Sequence, residues 1–80
     1  MYSENSRSIL KLIASTELSL DDKASAEGDH LTVDESSRRK LIAAAALWRL
    51  SQGQIDQAEL ILDSEPYYIR EIVYDAVKNL

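Results

Sequence analysis

The chain has 80 residues, no cysteine, and 14 acidic against 9 basic side chains, for a formal net charge of −5. So short a chain makes one small domain that buries only about 60% of the surface its unfolded form exposes, so added burial against a partner or a second copy is expected. Without cysteine it holds neither a disulfide nor a thiolate metal site, and its acidic balance opposes direct binding to nucleic-acid phosphate.

In SENSRSILKLIASTELSL, the residues Ile9, Leu12, Ile13, Thr16 and Leu20 recur at the spacing of one helix face, with Leu10 on its flank. This predicts an N-terminal amphipathic helix within residues 1–20, capped by Ser3, Asn5 or Ser6. Ile9 and Ile13 are candidate contacts, either to the domain itself or to another chain. The polar stretch DDKASAEGDHLT, residues 21–32, reads as an acidic linker that tethers this helix loosely.

Residues 33–80 read as a helical hairpin plus a final helix. Thr32 and Glu35 have the spacing of a capping box, and Asp34 and Glu35 precede Arg38 and Arg39 by four residues each. The second helix is expected to run to about Gln52, closed by Gly53 in the left-handed conformation. Asp56 and Glu59 repeat the cap-and-return spacing, with Ile55 and Leu60 placed for a hydrophobic staple around a short helix over 57–63. Pro66 belongs in a helix's first turn, so Ser64 or Glu65 is the expected cap of a last helix. Along it Ile69, Ile72, Val73, Ala76, Val77 and Leu80 share one apolar face. No period-two strand pattern occurs, so the fold expected is all-α, a small four-helix domain.

The stretch LIAAAALWRL has apolar groups on almost every side when wound as a helix. Leu41, Ala45 and Trp48 share one stripe, Ala43, Leu47 and Leu50 another, and Ile42 and Ala46 lie between. A helix apolar all round is one surrounded by neighbours. The expectation is therefore a central post, with alanines allowing close approach and the Trp48 stripe buried by a neighbouring helix or another chain. Tyr68 should rest at the core edge. Tyr67 and Tyr74 project to the polar side of the last helix, where they meet either the N-terminal helix or a partner.

The segment ALWRLSQGQIDQAELIL resembles the helical hairpin of tetratricopeptide repeats, with Trp48, Gly53 and Ala58 at the related spacings and Leu62 as a later packing position. The likeness covers roughly residues 44–66. It departs in its short second helix and in the lack of a second copy near the family's roughly 34-residue period. The chain also resembles the small TPR-like co-chaperones that hold type III secretion needle subunits. That resemblance implies a cytoplasmic protein whose groove shields a partner's amphipathic helix.

The polar residues suggest no catalytic chemistry. His30, the one histidine, lies in the acidic linker with no nucleophile or orienting group beside it. Aligning Gly28 with the glycine of an EF-hand loop puts Lys23 at the first ligand position, and lysine cannot bind calcium. Arg38, Arg39 and Lys40 are set to be neutralised by Asp34 and Glu35 along their own helix. No cofactor, metal, small-molecule substrate or enzymatic activity is expected. No apolar run reaches the roughly 20 residues that cross a bilayer, and MYSENSRS lacks the basic-then-apolar order of a secretory signal. The expectation is a cytoplasmic protein-binding module, a chaperone, adaptor or antagonist, acting through Tyr67, Tyr74, Trp48, Leu41, Ile9 and Ile13 on another protein or a second copy. The alternative is an acidic decoy that blocks a nucleic-acid-binding protein.

Overall fold

Residues 4–79 of the computed structural model form four helices, α1 (Glu4–Ala26), α2 (Val33–Ser51), α3 (Ile55–Leu62) and α4 (Tyr67–Val77). No strand occurs among the described residues. The all-α, four-helix expectation holds. Within it, α2 packs against each of the other three helices, and α1 also packs against α4.

Alanine decides where α2 meets its neighbours. Ala43 and Ala46 are fully buried and Leu47 nearly so, joined by Leu20 and Ala24 of α1, Leu62 of α3, and Tyr68, Ile69, Val73 and Ala76 of α4. Small side chains at the crossing let three helices approach one face without leaving voids. The opposite side of α2 stays open. Leu41 is 72% and Trp48 47% exposed, and Ala45 between them is exposed. The central-post expectation is thus half right: α2 is central, but its Leu41–Ala45–Trp48 stripe faces solvent.

α1 docks on its own domain. Ile9, Thr16 and Leu20 are buried, with Leu12 and Ile13 packed against the core. Its end differs from the expected one, because residues 21–26 continue the helix instead of forming a linker. Ala24 follows Leu20 by one turn and is buried, and Lys23 pairs with Glu27 at 3.7 Å. Those contacts outweigh the polar composition that suggested a loop. The helix closes at Gly28, φ +80°, where the Gly28 amide bonds the Ser25 carbonyl and the Asp29 amide bonds that of Ala24. This paired arrangement is the Schellman motif. It recurs at Gly53, φ +76°, with the Gly53 and Gln54 amides on Leu50 and Arg49.

The helix starts are mixed. Thr32 caps α2 as expected, its hydroxyl accepting from the Glu35 amide at 3.1 Å, though the Glu35 carboxylate accepts a hydrogen bond from the Thr32 hydroxyl rather than returning to the amide. Asp56 does not cap α3. The helix begins at Ile55, with Gln54 at the cap position and no side-chain cap bond. Glu59 instead reaches Arg70 and Tyr74 on α4, and the expected staple residues Ile55 and Leu60 are both exposed. Pro66 itself occupies the cap position of α4. Ser64 turns to Glu65, whose carboxylate pairs with Arg38. Asn5 and Ser6 lie inside α1 rather than at its cap, while Ser3 and Leu80 lie outside the described residues.

Two substitutions separate the caps. Thr32→Ala is expected to lower stability by about 1 kcal/mol. Asp56→Ala should stay within about 0.5 kcal/mol of the parent, as for a surface position without a specific partner. Thermal melts followed by circular dichroism check both, and an Asp56→Ala loss equal to that of Thr32→Ala contradicts the observed α3 start.

Candidate partner-binding surface

The surface is built on the solvent side of α2. Leu41, Ala45 and Trp48 are spaced four and three residues apart, so they stack along one line of the helix. At its N-terminal end a shallow hollow opens toward α1, lined by Glu17, Ser37, Lys40 and Leu41. An apolar ridge beside a polar-rimmed hollow can take the apolar face of another helix. An exposed tryptophan is also the residue type that most often anchors such contacts.

The other expected contact residues lie elsewhere. Ile9 is buried and Ile13 packs against the core, so both belong to the fold and are corrected as partner contacts. Tyr67 is 60% exposed, and its hydroxyl donates to Glu27 at 2.8 Å, just past the end of α1. Tyr74 is half-buried with its hydroxyl on Glu59 of α3. The two tyrosines therefore tie α4 to two different elements and form no joint face. Leu41 and Trp48 alone come together. The sequence leaves open whether a neighbouring helix or another chain covers this stripe, because flanking alanines point to no particular side.

The basic triplet also behaves differently from its helical spacing. Arg38 pairs with Glu65 at 3.3 Å, Arg39 with Asp29 at 3.3 Å, and Lys40 with Asp21 at 2.8 Å. Each cation reaches a different segment: the α3–α4 turn, the α1–α2 loop, and α1. Asp34 and Glu35, the expected partners, make none of these pairs. Tyr68 joins the loop clamp. Its ring is buried, its hydroxyl donates to Asp29 at 2.9 Å, and the same oxygen accepts from Arg39. Three further elements thus hold α2 in a fixed rotation, with Leu41 and Trp48 outward.

These bonds shift the ionisations. The Tyr68 hydroxyl, then Arg39, hold Asp29 below the ordinary carboxylate range. Lys40 and then Ser36 do so for Asp21, and Tyr74 and then Arg70 for Glu59. The tyrosines move the other way: Glu27 raises Tyr67, burial and then Asp29 raise Tyr68, and Glu59 raises Tyr74.

His30 is exposed in the loop. Among the described residues no three His, Asp or Glu side chains gather at metal-binding separation, and no helix is long and apolar enough to cross a membrane. Compared with known proteins, the chain matches no family model, no curated relative and no solved structure.

Two outcomes follow. A carboxylate depressed in the fold adds stability that is complete above its unfolded pKa, about 4, and is lost as pH falls through the lower folded value. A tyrosine raised in the fold adds stability that is complete below about pH 10 and is lost as pH rises further. The melting temperature should hence fall on both sides of this interval, and Asp29→Asn should shrink the acid-side fall. A melting temperature that climbs with acidification below pH 4 contradicts the clamps.

The second outcome concerns orientation. Ala46→Leu should cost about 1–3 kcal/mol by overpacking, while Ala45→Leu stays within about 0.5 kcal/mol as a surface change. Equal losses in denaturant melts of the two variants contradict the observed rotation of α2.

Proposed function

We propose that the chain is a protein-binding module whose α2 face receives an amphipathic helix of another protein, as a chaperone, adaptor or antagonist does. The observation that carries this reading is the outward placement of Leu41 and Trp48 on the helix that organises the core. Burying Trp48 fully inward would have added more to a small core; outward, about half of its surface is left open to a contact. The TPR-like likeness of the α2–α3 hairpin belongs to the same proposal, with Ala58 fully buried and Gly53 at the turn. The decoy reading receives less support, because Asp21, Asp29, Glu59 and Glu65 are engaged by basic side chains of the chain itself. A phosphate-like array needs carboxylates left open to a basic partner.

Affinity capture with mass spectrometry, comparing the parent with Leu41→Glu/Trp48→Glu at low and high salt, tests this. The expected result is a protein enriched by the parent, lost with the double variant, and retained at high salt, because apolar contacts are weakly screened. Capture that vanishes with salt and ignores the double variant favours the decoy, and unchanged capture at high salt by the double variant overturns the α2 face.

A further inference from the structure

α1 carries a second apolar face, turned away from the core. Leu10 and Leu18 are 62% and 71% exposed, and Ala14 between them is exposed. None of the three is required by the packing described above, and none belongs to the α2 face. Their charged neighbours are ordered by sign, with Arg7 and Lys11 in the N-terminal half and Glu17 and Asp21 in the C-terminal half. Ala14 is the midpoint of every pair. Lys11 and Glu17 lie three residues from it, Leu10 and Leu18 four, and Arg7 and Asp21 seven. Offsets of three, four and seven all fall on one side of a helix.

A face with that symmetry is complementary to itself when reversed. We infer that α1 pairs antiparallel with α1 of a second copy, about a two-fold axis passing at Ala14. Leu10 then lies level with Leu18 of the other copy across the seam, and the basic half carrying Arg7 and Lys11 runs alongside the acidic half carrying its Glu17 and Asp21. Each contact occurs twice, as an isologous interface requires. Alanine at the axis lets the helices approach closely, since the side chains at the contact set interaxial distance.

Charge selects this arrangement over the parallel one, which sets Lys11 against Lys11 and Glu17 against Glu17. It also selects the occupant. An unrelated amphipathic helix gives no reason for the signs to mirror about Ala14, whereas a second copy does. Lys11 and Glu17 form no ion pair within the chain among the described residues, so both charges are available. Asp21 already holds Lys40, and Arg7 adds a second cation to it. The seam from Arg7 to Asp21 is about 21 Å long at 1.5 Å per residue. This seam borders the α2 face at Glu17, which also lines the hollow beside Leu41, but it uses neither Leu41 nor Trp48, so its failure would leave the proposed function standing.

Sedimentation equilibrium of the full chain over a concentration series provides the test, with circular dichroism to establish equal helix content. The parent should dimerise. Lys11→Glu and Glu17→Lys should each weaken dimerisation roughly tenfold, since each reverses two symmetry-related pairs. An equimolar mixture of the two variants should recover the parent's association, because every reversed charge then meets its opposite. The double variant Lys11→Glu/Glu17→Lys should recover it as well. A parent that stays monomeric throughout overturns the inference, as do single variants that dimerise like the parent. A mixture no tighter than its separate components also overturns it.

Discussion

The close crossing of α2 with its neighbours at Ala43 and Ala46 is the contact on which the other features depend. Both residues have no exposed surface, and they leave room for Leu62, Ile69 and Val73 to meet Leu47 from α3 and α4. Once that face is turned inward, Leu41 and Trp48 have nowhere to go but out. Core and candidate surface are two consequences of one helix rotation. Such economy suits a chain of 80 residues, which has few positions to divide between stability and contact.

Polar side chains set the same rotation independently. Arg38, Arg39 and Lys40 are consecutive, so on a helix they fan out by about 100° each. That fan is why they reach three separate carboxylates instead of the two preceding them on α2. Most of these pairs are partly solvated, and such bridges contribute modestly to stability. Their value lies in register, since turning α2 by one residue breaks all three together. Tyr67 and Tyr74 do comparable work for α4, each holding a carboxylate on a different neighbour.

Much of the fold was legible in residue spacing. The inward faces of α1 and α4 follow directly from repeated large apolar residues, and the Thr32 cap from its local bond. Composition misled at 21–32, where the acidic residues suggested a loop although Ala24 continues the buried line of Leu20. Gly28 ends a helix with the same paired bonds as Gly53, yet only Gly53 follows an obviously apolar helix. Asp56 shows the reverse error: its cap spacing was sound, but Gln54 and Ile55 start the helix two residues early. The candidate surface was least legible. Four consecutive alanines give a helix no preferred side, so the orientation of Leu41 and Trp48 was set by α1, α3 and α4 and not by their own segment.

Trp48 is the chain's one tryptophan, which makes its environment directly readable. Acrylamide quenching and emission maximum of Trp48, measured on dilute parent protein, test the rotation of α2 most directly. An outward Trp48 gives red-shifted emission that acrylamide quenches readily in the folded state. A blue-shifted emission protected from acrylamide would place Trp48 in the core and contradict the arrangement of α2 described here.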